Sequence, residues 1–428
     1  MKPEESNGKG EEVDNPAPVT GDVIGDTAYS ERFVLKILLK LANKDTLKDE
    51  IQEKSFEDDL CTLWDMTAER DVVLFLLKHD VLSLFNFALP DIESPRFIEI
   101  IIGIVGNMCC QKEAVATLLK MDSFLTSLLE YMKSDDSLIL IQVLRLVSSS
   151  LFIASEDDLL IWLTLFKSVD YSNALYFMLK NSSHKELLVT ALENFNTVTS
   201  YCNIEKFRLQ FFTHFVTPEA MESLSTAFTE VTTSHKDACE KEELERIFDI
   251  TLQLTLNLVG FDKSPEIYEG SKQDAVKIIT NVLCYYENKL VDQKEIDTDV
   301  VDIIDSTNTV VHILKLSEIC DPDKYCSPSY NMWKTLKSIT KSNKNGCSFE
   351  EDDIDDLEDF VIKMKCPLST LICNYLAKCS ENNLLKVLDE IGSDYEEIFS
   401  LVTDEEIRDN VSKRAANYTT RLKDNVDS

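Results

Sequence analysis

Ile98-Glu99-Ile100-Ile101-Ile102-Gly103-Ile104-Val105-Gly106-Asn107-Met108-Cys109 is the stretch that decides the fold. It reads as one apolar helix, and its longest uninterrupted run is far short of the roughly 18 residues a membrane span requires. Comparable helices recur over residues 139–151, 187–201 and 246–260. Setting Asn107 against Ser148, Val198 and Asn257 gives successive spacings of 41, 50 and 59 residues. The first two lie at or near the roughly 40–47 residues of armadillo and HEAT units. The third is longer, and the acidic stretch 229–243 is a natural place for an insertion.

Around each long helix the pattern is more specific. Glu113 to Met132 predicts a short helix, a break at Lys120-Met121-Asp122 and a second helix. A polar break at Ser134-Asp135-Asp136-Ser137 follows, and then the long helix 138–151. Val72 to Cys110 repeats this order, with Pro90 to Pro95 as its break. Weaker copies cover 159–202, 205–261 and 264–320. The expectation is an all-α, right-handed armadillo/HEAT-like superhelical solenoid of about five repeats. Such a chain grows by stacking units, not by enlarging one round core.

Composition agrees. The 428 residues include only 10 Gly and 10 Pro, whereas glycine is about 7% of average usage. Tight strand turns need positive φ and hence glycine, so sandwiches, barrels and propellers are disfavoured. With 43 Lys+Arg against 77 Asp+Glu, the net charge is −34. That surface repels phosphate backbones and anionic lipid, so neither nucleic acid nor membrane is expected as a partner. A protein partner fits better, and a basic one suits the charge. The start, Met1-Lys2-Pro3-Glu4-Glu5-Ser6, has no apolar h-region, so a soluble, intracellular monomer is expected.

The expected organisation is a disordered acidic tail at 1–20, N-terminal capping helices at 21–71 and armadillo-like repeats at 72–320. A repeat-terminal helix and linker follow at 321–347, an acidic loop at 348–359 and C-terminal capping helices at 360–428. Twelve cysteines in a reducing compartment read as buried or incidental thiols. Their spacing in the C-terminal group is wider than zinc knuckles use, so no metal is expected. No cofactor is expected either. The five histidines show no H-x-x-x-H pairing and no G-x-S-x-G occurs, so a non-enzymatic protein is expected.

Three blocks narrow the reading: Gly21-Asp22-Val23-Ile24-Gly25-Asp26-Thr27-Ala28-Tyr29-Ser30, Leu63-Trp64-Asp65-Met66-Thr67, and Gly103-Ile104-Val105-Gly106-Asn107-Met108. Asp71-Val72-Val73-Leu74-Phe75-Leu76 extends the second. Their order and approximate separation resemble the serum amyloid A-like protein 1 family, over about residues 21–152. The resemblance implies an armadillo-type helical fold and a nuclear or nucleocytoplasmic, non-enzymatic protein linked to cell proliferation.

Candidate contact residues follow from the groove chemistry of armadillo proteins, in which Trp and Asn one turn apart on each third helix hold a peptide backbone. Asn107 and Asn257 stand where such an Asn would be, but Gly103 and Gln253 replace the Trp. The alternative for Asn107 is a cap or a buried hydrogen bond. Trp64 is either an exposed anchor or a core residue, with Asp65 or Thr67 capping a helix from Ala68. Gly21 to Gly25 lacks the Lys and Ser/Thr of a phosphate loop, and reads as a turn leading to an N-cap at Thr27 or Ser30. Glu350, Glu351, Asp352 and Asp353 open an acidic run to Asp359 that is either a solvated loop or a lure for basic segments. Ser348 is the obvious phosphate acceptor there. A protein-interaction scaffold is the leading expectation, and an acidic chaperone or carrier for basic proteins such as histones is the alternative.

Overall fold

A computed structural model describes residues 22–293, 299–343 and 351–426. The expected tail at 1–20, Gly21, Ser348 and Glu350 lie outside the described residues. Among the described residues the only β pairing is an isolated antiparallel bridge between Val23 and Ser30. Everything else of regular form is helix, as the glycine count and 3.6-residue periodicity require. The chain divides into two compact units, Met1–Phe124 and Leu125–Ser428.

The first unit carries α1 (Glu31–Ala42), α2 (Lys44–Glu50), α3 (Lys54–Met66), α4 (Arg70–Lys78), α5 (Val81–Ala88), α6 (Pro95–Met108) and α7 (Lys112–Leu118). Ser30 is the N-cap of α1, its hydroxyl accepting from the Phe33 N–H at 3.2 Å. Thr27 instead ties the turn, donating to the Ile24 carbonyl and accepting from the Tyr29 N–H. Helix α6 packs on α3, α5 on α1, and α7 on α4. Ile100, Ile101, Ile102, Ile104 and Val105 are all fully buried, so α6 is apolar all round because neighbours cover it all round.

Helix α8 (Asp122–Glu130) spans the division. The second unit continues with α9 (Ser137–Phe152), α10 (Glu156–Val169), α11 (Tyr171–Asn181), α12 (Lys185–Thr199), α13 (Glu205–Phe215), α14 (Pro218–Thr233) and α15 (Lys241–Val259). Then come α16 (Ser264–Ile267), α17 (Lys272–Val291), α18 (Val300–Leu314), α19 (Cys326–Asn343), α20 (Glu351–Lys378), α21 (Glu381–Ile391), α22 (Tyr395–Ser400) and α23 (Glu405–Val426). The stretches 159–202, 205–261 and 264–320 each hold three helices. Two series of neighbours run through this unit. Helices α9, α12, α15, α18 and α20 pair in succession, and α11, α14, α17 and α19 pair in a second row. Leu146, Leu192, Phe195 and Leu254 of the first row and Leu224 and Phe228 of the second are each fully or almost fully buried.

One expected segment differs. Residues 348–359 were expected as a loop, but the backbone is helical from Glu351 onward. Acidic side chains in the first turns of a helix complement the positive end of its macrodipole. Ile354, Leu357, Val361, Met364 and Leu368 also keep the three-to-four spacing of an amphipathic helix through the charged run.

At the far end of the unit, Trp333 is fully buried with Lys365 Nζ 4.2 Å and Lys337 Nζ 5.2 Å from its ring. Lys337 pairs with Asp394 at 2.7 Å and Glu397 at 2.6 Å, and Lys365 also pairs with Glu397. The hydrogen bond from Lys337 holds the Asp394 carboxyl below its ordinary range. Burial opposes ionisation of Glu397, yet the bonds from Lys337 and Lys365 outweigh it and lower that group too. Carboxylates depressed in the folded state add stability above their unfolded pKa of about 4 and lose it as pH falls through the folded value. Thermal melts of the wild type are therefore expected to fall below pH 4 more steeply than those of Asp394→Asn/Glu397→Gln, which starts lower at pH 7.

Candidate functional site

In the first unit the sequence-selected Trp64 and Asn107 meet, both half-buried where α3 packs on α6. A Cβ added at Gly103 would lie 2.1 Å from Cζ2 and 2.3 Å from Cε2 of Trp64. The indole from α3 therefore occupies the space one turn before Asn107 on α6. Asn107 Nδ2 donates to the Trp64 carbonyl at 3.3 Å and to the Thr67 hydroxyl at 3.2 Å. Thr67 donates in turn to the Trp64 carbonyl. The Asn that would hold a peptide is spent on the C-terminus of α3, where unpaired carbonyls need donors. Thr67 caps the end of α3, not the start of α4, whose N-cap Glu69 makes no side-chain cap bond.

The first block joins the same knot. Gly25 has φ +52°, and a Cβ there would fall 2.2 Å from Asp71 Oδ2. Asp71 accepts from the Asp26 N–H at 3.0 Å. Gly25 is thus needed for both its backbone conformation and the close approach. All three blocks touch: the first to the second at Asp71, the second to the third at Trp64, Thr67, Gly103 and Asn107.

The second unit repeats the device. Asn194 on α12 is fully buried. It donates to the Leu144 carbonyl at 3.0 Å and the Ser148 hydroxyl at 3.1 Å on α9, and accepts from the Tyr171 hydroxyl at 2.7 Å. Asn257 on α15 donates to Thr199 Oγ1 at 3.0 Å and accepts from Gln253 at 3.2 Å. Asn308 on α18 donates to the Pro367 carbonyl of α20 at 3.0 Å. The bonds these three asparagines donate each run from one long helix to its neighbour or to its C-terminal end. Asn107 thus aligns by contact with Asn194 and Asn257, whereas the spacing alone had set Val198 in that place. Sequence reasoning missed Asn194 as a member because it lies one turn before the aligned position.

With the asparagines turned inward, the exposed face of the row is ionic. Arg145 pairs with Glu186 at 3.0 Å, Lys185 with Glu243 at 2.7 Å, and Arg246 with Glu193. These residues, with His184, Val189 and Thr190, line an open cleft of about 690 Å³ across α9, α12 and α15. Further along, burial raises the Asp249 carboxyl on α15, and the nearby charges of Asp299 and Asp302 raise it more. Burial and Asp302 likewise raise Asp305 on α18. The side chains of Glu351, Asp352 and Asp353 lie outside the described residues. Burial raises the Cys320, Cys326, Cys373 and Cys379 thiols, the first to about 11 and the third to about 12. Among the described residues no His/Cys/Asp/Glu group is arranged to hold a metal.

The closed knot on α3 and α6 is made of the same residues that suggested a family. The chain is similar to protein SAAL1. It is 29% identical to protein SAAL1 of Homo sapiens over 184 residues, 40% of this chain and 38% of that protein. It is 27% identical to protein saal1 of Danio rerio over 192 residues, 42% of this chain and 39% of that one. Protein saal1 of Xenopus tropicalis is 29% identical over 187 residues, 41% of this chain and 40% of that one. The chain thus matches about two fifths of the length of these curated SAAL1 relatives. No family model matches it.

Proposed function

We propose that this chain is a non-enzymatic protein-interaction scaffold of the SAAL1 type, built as an armadillo-like right-handed solenoid of about five repeats. Its place in the nucleus or nucleocytoplasm, and its link to proliferation, rest on the resemblance of the three sequence blocks. The observation that carries the scaffold reading is the long-helix row α9, α12, α15, α18 and α20, whose groove-type asparagines are consumed internally. An import-receptor mode through an Asn ladder is therefore set aside, and partners bind the ionic outer face of that row. Affinity purification of the full chain at physiological ionic strength (about 0.15 M), followed by direct titration of each recovered protein, tests this. A defined partner that binds the purified chain supports the reading; no partner above background removes it.

Asp249, Asp302 and Asp305 favour a second reading, a carrier of basic proteins. Burial raises the carboxyls of Asp249 and Asp305, and the neighbouring acidic charges, Asp302 among them, raise them further, a strain that a bound cation relieves. On this reading binding falls steeply with added salt and weakens when the three become Asn. Binding that holds in high salt excludes it.

A further inference from the structure

Helices α10 and α13 belong to neither long-helix row, and they pack on each other. Both bury one face: Leu159, Trp162, Phe166 and Val169 on α10, and Phe207, Phe211 and Phe215 on α13. Their outer side is apolar as well. Leu160, Leu163, Thr164 and Lys167 keep the i, i+3, i+4, i+7 spacing of a single helical stripe. Leu160 is 40% exposed, and Leu209 on α13 is 76% exposed. Between the two helices runs an open cleft of about 430 Å³, lined by Leu163 and Lys167 on one side and by Leu209 and His214 on the other. That volume lies within the roughly 300–1,000 Å³ of specific ligand clefts.

The polar groups of the cleft narrow what it can hold. Thr164 and Thr213 also line it, but each hydroxyl donates at 2.9 Å to a carbonyl of its own helix, Leu160 and Leu209 respectively. His214 is half-buried, and burial holds its imidazole below the ordinary range, so the ring is uncharged at neutral pH. Lys167 is then the one charge lining the cleft among the described residues, and its ammonium has no salt bridge or hydrogen bond there. Asp170, nearly one turn on, does not line the cleft and accepts from Asn173 at 2.8 Å. On a chain of net charge −34, this is an apolar surface marked by an unpaired cation.

We propose that the α10–α13 cleft is a docking groove for an amphipathic, acidic helix of a partner protein, whose apolar residues sit on Leu163 and Leu209 and whose carboxylate pairs with Lys167. An amphipathic helix presents anchors at i, i+3, i+4 and i+7 to such a groove. The stripe from Leu160 to Lys167 rises about 10 Å, so two turns of the partner cover it, with the acid at the Lys167 end. A basic helix places like charge against Lys167, and a neutral one leaves the ammonium uncompensated as water is excluded. This surface therefore selects a partner of opposite chemistry to the basic one that the net charge favours.

The test is fluorescence anisotropy of a labelled peptide against the full chain at about 0.15 M salt. The peptide is built of Ala, Leu and Glu and is about 15 residues long, enough for a helix to form. Leu occupies i, i+3 and i+7, and Glu flanks the stripe. Saturable binding is expected, weakened roughly tenfold or more by Leu209→Asp and by Lys167→Glu. Both side chains are exposed, and circular dichroism with melting temperature reports that the variants stay folded. Replacing every Glu of the peptide by Lys reverses the preference, so that peptide binds Lys167→Glu more tightly than wild type. The proposal is overturned if the Glu peptide does not bind, or binds wild type and Leu209→Asp equally. Co-sedimentation of the chain with phosphatidylglycerol vesicles that Leu209→Asp abolishes assigns the face to a membrane and also overturns it.

Discussion

Asn194→Ala is expected to lower the unfolding free energy by roughly 2–4 kcal/mol, because it strands buried polar groups and opens a void. The Tyr171 hydroxyl, fully buried on α11, loses the carboxamide oxygen it donates to. Ser148 on α9 loses its donor, and the α9–α12 contact loses the two bonds this carboxamide makes across it. Tyr171→Phe in the same background recovers part of the loss, since it removes the stranded hydroxyl and leaves the ring in place. Urea titration of the four members of this double-mutant cycle gives the coupling directly. A cost below about 0.5 kcal/mol would match an ordinary surface site and contradict the structural role assigned to the asparagine.

Gly103→Ala has the next largest expected effect, and its sign separates two readings. On an isolated helix alanine is better than glycine by about 1 kcal/mol. Here the new methyl meets rigid ring atoms of Trp64 at 2.1 Å, and overpacking of that kind costs about 1–3 kcal/mol or more. The indole must leave its seat and disturb the Asn107–Thr67 bond beside it. A net loss near 2 kcal/mol is expected, largely relieved when Trp64→Leu makes room. Stabilisation by Gly103→Ala would show that the indole does not lie against α6.

Much of the helix order was legible because it is written in local spacing. The runs Phe33, Ile37, Leu41 and Leu60, Leu63, Trp64 sit where α1 and α3 form, and Ser30 caps as its type predicts. What spacing cannot show is the direction a polar side chain takes once its helix has a neighbour. Asn107, Asn194 and Asn257 look alike as groove residues or core residues until the C-terminal hydroxyls of Thr67, Ser148 and Thr199 are placed opposite them. The acidic run from Glu351 misled for a different reason. Its charge density suggested a loop, while its spacing and the helix dipole both favoured helix. Trp64 is half-buried, and its seat against Gly103 depends on a contact across 39 residues of sequence.

The central claim is that partners bind the ionic face of the α9–α12–α15 row and that its asparagines serve only the fold. Arg145→Glu combined with Arg246→Glu reverses two cations of that face, both about half exposed at 52% and 55%, without touching the buried bonds. The direct measurement is the affinity of a partner captured by the wild-type chain, titrated against wild type and this double variant. A loss of at least tenfold, about 1.4 kcal/mol, with an unchanged circular dichroism spectrum is the predicted result. Equal affinity for the two proteins would contradict the account.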